Sequence, residues 1–434
     1  MLGRFAAMGA GAALLLVAGI ASAAAATDTG VGPVTDVSHA CRGQNAEVEL
    51  ATWHRYVYVD WMGCNNSIGF SRSADGGRTW SAPVVMSGSR GGSWDPALAV
   101  SPDGVLYVSF MNANLTYTYP VVDTSFDFGQ TFTEHIVQPP DQDNWGDRDF
   151  IAAGPDGVVY LTWDYGPDAS LLQYICAANG SCAFANGDLN VVLQKSADFG
   201  RTWGPMVHVS PGFPASGGDS APMVVEPDGR IDMSYQGYNI YNLKTYAMSP
   251  AYTFFTSSTD GGHRWSVPVQ VGPSAGTMSL GEWWIDGAIS SDAAGNLYIT
   301  WDTQGINSDI GWLSYSTDHG RTWSAPIRVT PDNDNATHIV QSAGGSPGVV
   351  YVGWLADNSP RGYALYLRTF SITRGWLSGP QRISARYGNP GIWPGDTFGI
   401  STGTGRLQLS WGGAVGGSPD SEIFAAPVTV PGLG

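Results

Sequence analysis

The chain has 434 residues, with 37 Asp and Glu against 20 Lys and Arg, a formal net charge of −17, and only 13% charged residues. An acidic chain with no basic run makes nucleic acid and anionic membranes poor partners. Its 58 Gly and 27 Pro suit many short strands and turns rather than helices.

The chain opens MLGRFAAMGAGAALLLVAGIASAAAAT, with Arg4 as a basic start, an apolar stretch at 12–20 and Ala-Ser-Ala at 21–23. This reads as a secretory signal peptide over 1–26. The apolar stretch is shorter than the roughly 20 residues that a membrane span needs. The expectation is a secreted bacterial protein, not membrane-embedded, whose mature chain 27–434 loses Arg4 and no acid. Four cysteines remain, Cys41, Cys64, Cys176 and Cys182. An even number in an exported chain points to disulfides. Of three pairings, Cys41–Cys64 plus Cys176–Cys182 is chosen: the first pair flanks one structural unit and the second encloses a short loop. No Cys or His stands at zinc spacing.

From about 45 to 430 two patterns alternate. One is a strand that starts at a turn and ends in an aromatic: 54–61, 103–110, 156–163, 228–235, 294–301, 347–354 and 404–411. The other is Ser-x-Asp-x-Gly-x-x-aromatic: SADGGRTW 73–80, SFDFGQTF 125–132, SADFGRTW 196–203, STDGGHRW 258–265 and STDHGRTW 316–323. The sixth unit keeps only ITRGW 372–376 and the seventh has no such turn. A short apolar strand precedes most units and another follows each Ser-x-Asp turn. Four strands per unit, repeated seven times, predict an all-β chain: a single propeller of four-stranded antiparallel blades. The seventh unit ends at EIFAAPVTV 422–430, one strand short, and GPVTDVS 32–38 is the expected closing strand. Six blades, the alternative, would require one unit to be spurious. The repeats run without a linker, so one domain is expected although length alone suggests about two or three.

Aligning units on the glycine of the inner turn puts Asp95, Arg148, Ser220, Asp286 and Asp396 at one position, nine residues before Gly104, Gly157, Gly229, Gly295 and Gly405. All should ring the mouth of the central channel. Tryptophans accompany them: Trp94, Trp145, Trp283, Trp284 and Trp393. The functional reading is a sugar pocket, with indole faces stacking on pyranose rings and carboxylates supplying acid, base or nucleophile. The structural alternative is that each Asp caps loop N–H groups and each Trp wedges between blades. Convergence of carboxylates on one mouth is costly without a ligand, and this favours the pocket. No cofactor is required; a structural calcium on Asp95, Asp147, Asp149, Asp286 or Asp396 is a further reading. The long segments 164–190 and 236–252 are expected as recognition loops, the latter carrying Tyr238.

The Ser-x-Asp-x-Gly turn is the pattern called the Asp box, and nearly the whole mature chain resembles the sialidase-like (BNR repeat) β-propellers. The resemblance implies a site on the face opposite the boxes. It also implies an arginine triad for a substrate carboxylate, a Tyr nucleophile activated by a Glu, and an Asp acid/base. Here Glu282 is taken as the only glutamate of the mouth-forming loops, Asp95 or Asp149 as the acid and Tyr238 as the nucleophile. Arg148 and Arg361 are candidates for the triad, without a third, and the family's N-terminal Arg-Ile-Pro is missing. The expectation is a monomeric, glycan-acting protein, leaning to an exo-α-sialidase-like glycosidase. The alternatives are a polysaccharide lyase, with His338 as a base, and a non-catalytic propeller binding glycan or protein.

Overall fold

The computed structural model describes residues 30–114, 117–138, 145–166, 173–176, 182–185, 190–210, 216–219, 221–242, 247–248, 252–272, 288–303, 310–331, 337–357, 363–385, 395–403, 405–415, 418–430 and 433. Seven antiparallel blades follow one another around a central channel. Blade one is Ala46–Trp53, Tyr56–Cys64, Ser67–Ser73 and Val84–Val85, from the channel outwards. The innermost strands of the next five are Trp94–Val100, Trp145–Ala153, Ser216–Asp219 with Met223–Val225, Ala288–Ser291 and Thr337–Gly344. Blade seven runs Gly399–Ser401, Leu407–Gly413 and Glu422–Thr429. Its outermost strand comes from the other end of the chain: Gly30–Val31 and Thr35–Asp36 pair antiparallel with Glu422–Thr429. Seven blades and N-terminal closure therefore stand as the sequence implied.

The alternating strands place one aromatic per blade at the same height: Trp61, Phe110, Trp163, Tyr235, Trp301, Trp354 and Trp411, each at most 3% exposed. Among the described residues the buried apolar side chains form seven clusters, one at each seam between neighbouring blades. Removing one such ring from water contributes about 1.5–3 kcal/mol.

The Ser-x-Asp turns join the third and fourth strands of blades one to five. In each, the serine Oγ accepts from the glycine N–H at 2.8–2.9 Å and the aspartate accepts the Ser hydroxyl at 2.8–3.0 Å. The Asp also accepts the N–H four residues on. The turn needs two consecutive left-handed residues, such as His319 at φ 62° and Gly320 at φ 80°. These turns and the inner hairpin turns share one end of the propeller, so the mouth is at the other end.

Cys41 and Cys64 are disulfide-bonded. Cys176 and Cys182 are opposite one another in the hairpin Gln173–Cys176 and Cys182–Ala185, with their side chains outside the described residues. Segment 164–190, expected as a loop, therefore carries a hairpin of its own. Tyr238 is likewise not on a loop. The second strand of blade four continues as Ile231–Asn242 and pairs Tyr238 with Gly217, because Ser216–Asp219 offers it an edge.

Candidate functional site

The innermost strand of a propeller blade reaches the mouth at its start. There the strands of blades one, two, three and six each carry a β-bulge, between Ala46 and Val48, Trp94 and Ala97, Asp147 and Phe150, and His338 and Val340. A bulge inserts an extra residue and re-aims a side chain. The bulged residues are Glu47, Asp95, Arg148 and Ile339, with φ of 50°, 48°, 47° and 57°. Left-handed backbone is costly for residues with a Cβ, and here it recurs at one position of the repeat. Asp396 of blade seven completes the group. Gly395 before it has φ 103°, and a Cβ there would collide with the Glu47 backbone N.

The bulges are wired to each other. The first two bulges bring Glu47 and Asp95 onto one cavity wall. The Arg148 N–H donates to Asp95 Oδ2 at 2.9 Å. The Arg148 guanidinium reaches across the channel to Asp396 Oδ2 at 3.2 Å, with both side chains nearly buried. The Trp94 indole N–H donates to Asp147 Oδ1 at 2.6 Å while its ring packs on the core between blades two and three. Glu47 and Asp95 line the same small cavity with Asp149 and Asp396, so their carboxyl groups meet in one enclosed space. Carboxyls in contact must share protons. Burial, then the like charges of Asp147 and Glu47, push Asp95 well above the ordinary carboxylate range. Burial raises Glu47 as well, against the lowering effect of Asp95 hydrogen bonding and Arg148. Glu47 Oε2 is enclosed, although the residue itself is partly exposed.

Beneath this layer lies Asp149, 2% exposed and raised by burial. Asp60 is deeper still, fully buried, and raised by burial and by the charges of Glu49 and Asp149. The described walls, Glu47, Asp95, Pro96, Arg148, Asp149, Phe150, Asp396 and Thr397, enclose about 20 Å³. That holds about one water.

Of the expected site residues, the structure brings Asp95, Arg148, Asp149 and Asp396 together, with Trp94 beside them. Glu282, Trp283, Trp284, Asp286, Arg361 and Trp393 lie outside the described residues, as do the side chains of Trp145, Tyr238 and His338. Among the described residues no three His, Cys, Asp or Glu are grouped as a metal site. Glu282 is not the only glutamate of the mouth, because Glu47 stands in it. The glycine alignment missed Glu47 because blade one turns through His54-Arg55 without a glycine. Its Trp53–Tyr56 pairing shortens the hairpin and breaks the nine-residue count. Counting back from the buried aromatic would also have missed it: the 15 residues that separate Asp95 from Phe110 or Arg148 from Trp163 lead from Trp61 to Ala46, one short of Glu47.

No protein-family profile matches the chain. A sialidase of Micromonospora viridifaciens is 26% identical over 312 residues, covering 66% of this chain and 45% of that protein. The chain thus matches less than half the length of that relative. An ulvan lyase of polysaccharide lyase family PL25 superimposes with a TM-score of 0.57 at 13% identity, over 92% of this chain and 96% of that one. A Dyadobacter fermentans protein of unknown function superimposes with a TM-score of 0.54 at 14% identity, over 78% and 94%. In its seven blades, its repeated turns and this sequence match the chain is similar to the sialidase-like β-propellers.

Proposed function

We propose that this protein is an exported carbohydrate-active hydrolase that cleaves glycosidic bonds at the acidic channel mouth. The observation that carries the proposal is the pair Glu47 and Asp95, which enter one small cavity at the mouth from neighbouring bulges, beside the Arg148–Asp396 ion pair. Glycoside hydrolysis needs one carboxyl that still holds its proton and another that does not. The shared, desolvated pair supplies the first. As acid it gives its proton to the glycosidic oxygen while the C–O bond breaks. Asp396, held by Arg148, is placed to be the ionised partner that stabilises positive charge at the anomeric carbon or takes a proton from attacking water. The sialidase similarity supports a glycan substrate, and the leader and disulfide support export.

The test is mass spectrometry of products from the mature protein, starting at about residue 27, on sialosides, uronic-acid polymers and plant oligosaccharides. Fragments heavier by water, lost in Glu47→Gln and Asp95→Asn, are the expected result. Unsaturated fragments would replace hydrolysis by a lyase reaction. No products from folded protein would leave a binding propeller.

A further inference from the structure

At the end of the propeller opposite the mouth, the seam between blades seven and one departs from the rest. The inner turns of blades two, three and four carry Asp103, Asp156 and Asp228. In blade four the sequence DGRID 228–232 neutralises its own arginine. The Arg230 Nε donates to both Asp232 oxygens at 2.9 Å, its guanidinium lies 2.7 Å from Asp232 Oδ2, and its N–H donates to Asp228. Blade seven has TGRLQ 404–408 at the same place. In the sequence Arg406 takes the position of Arg230, and the repeat positions of the two aspartates are Thr404 and Gln408; Arg406 keeps interactions of its own. Gln408 instead donates to Gly76 O at 3.2 Å and clasps the first Ser-x-Asp turn.

Blade one adds two more arginines here. Its inner turn is His54-Arg55, with the Arg55 guanidinium 5.5 Å from the Tyr56 ring centre. Its Ser-x-Asp turn contributes Arg78. Arg55, Arg78 and Arg406 are all exposed, and with Ala74, Asp75 and Gly76 they line one open cleft of about 380 Å³. Asp75 is the acid of this cleft, and its oxygens are engaged by its own turn: Ser73, the N–H groups of Arg78 and Thr79, and the Thr79 hydroxyl. Three guanidinium groups and one carboxylate line the cleft, on a chain of net charge −17. Arginine's planar fork matches planar or tetrahedral oxyanions.

We propose that the cleft lined by Arg55, Arg78 and Arg406 at the seam of blades seven and one is a binding site for an oxyanion group, a sulfate or a carboxylate. The group can arrive free or carried on an anionic polysaccharide. A polysaccharide held here would be anchored at the far end of the molecule from the mouth, independently of any chemistry there.

Isothermal titration of the mature protein with inorganic sulfate, a chondroitin sulfate hexasaccharide, a hyaluronan hexasaccharide and neutral maltohexaose tests this. Binding of at least one anion, weakened by salt and weakened at least about tenfold by Arg406→Gln or Arg55→Gln, is the expected result; a tenfold loss corresponds to about 1.4 kcal/mol. Arg406→Lys, which keeps the charge, should lose less. Binding by inorganic sulfate alone identifies a free anion as the ligand; tighter binding of a hexasaccharide identifies a polymer. The Glu47→Gln variant should bind the anion unchanged, which separates this site from the mouth. No anion binding by the folded protein, equal binding of maltohexaose, or anion binding indifferent to both arginine variants would overturn the proposal.

Discussion

Glu47, Asp95, Arg148 and Ile339 adopt backbone angles that cost about 1–3 kcal/mol each, and three of the four present an ionisable group to the channel mouth. Such strain persists only where surrounding structure holds it. Here the Arg148 N–H meets the Asp95 carboxylate and the Arg148 guanidinium meets Asp396, which ties the second and third bulges to blade seven. Glu47→Gln and Asp95→Asn should each lower kcat/KM by about 10²–10⁴-fold while cooperative denaturant unfolding is retained. Glu47→Gln also removes a charge that raises Asp95. The high-pH limb of its residual activity should therefore move to lower pH; a purely structural role for Glu47 would leave the limb in place. Aspartates elsewhere pull stability in opposite directions. Hydrogen bonds from the Thr322 hydroxyl and N–H and from Ser316 hold Asp318 down to about 2. Its contribution is present above the unfolded value of about 3.9 and is lost as pH falls through about 2. Burial pushes Asp123 up to about 6, so its contribution is present below about 3.9 and is lost as pH rises through about 6. Urea midpoints measured from pH 2 to 7 should lose part of their slope below about pH 4 in Asp318→Asn, and between about pH 4 and 6 in Asp123→Asn.

The Ser-x-Asp turn and the buried aromatic repeat as units, each for a reason that is local to one blade and its neighbour. At the second left-handed position of the turn a side chain has two obstacles. In blade five, a Cβ on Gly320 would collide with the Phe255 ring of blade four, on top of the φ of 80°. Gly320→Ala should therefore cost more than the roughly 1–2 kcal/mol of the backbone alone. The position before it is more tolerant, and Phe128, Phe199 and His319 occupy it. Trp301 is 2% exposed and packs in the cluster between blades four and five. Its replacement by Ala should cost about 3–5 kcal/mol in denaturant unfolding. A loss under 1 kcal/mol would mean that the seams tolerate cavities and that packing between blades is loose.

The whole ring depends on one junction. Blade seven takes its outer strand from Gly30–Val31 and Thr35–Asp36, and the Val37 N–H continues the ladder to Ile423 O at 2.8 Å. The Cys41–Cys64 disulfide then ties this segment to blade one, 23 residues along the chain. A loop of that size stabilises by about 3 kcal/mol in the chain-entropy account. Reduction, or Cys41→Ala with Cys64→Ala, should lower stability by about that amount without opening the ring. Removing residues up to 38 should do more: it bares the long edge of Glu422–Thr429, an invitation to edge pairing. The truncated protein should self-associate in sedimentation, whereas the intact chain should not.

Fold and closure were legible because a propeller is periodic: each blade repeats one strand pattern and one turn, and the seventh unit is visibly a strand short at the end where the N-terminus carries a spare. The aromatic ring and the disulfide Cys41–Cys64 were legible for the same reason. The mouth was legible only as far as that period holds, which brought in Asp95, Arg148 and Asp396. Glu47 was hidden by one shortened hairpin, and Tyr238 was read into a loop where a strand continues. What only the tertiary structure decided is which groups touch. The Glu47–Asp95 contact, the reach of Arg148 from blade three to Asp396 of blade seven, and the three arginines at the opposite seam all join residues far apart in the chain. Their meeting depends on ring closure and on bulges that turn side chains by a single residue. A repeat states where each blade begins; electrostatics at the mouth depends on distances between blades, and those exist only once the ring is closed.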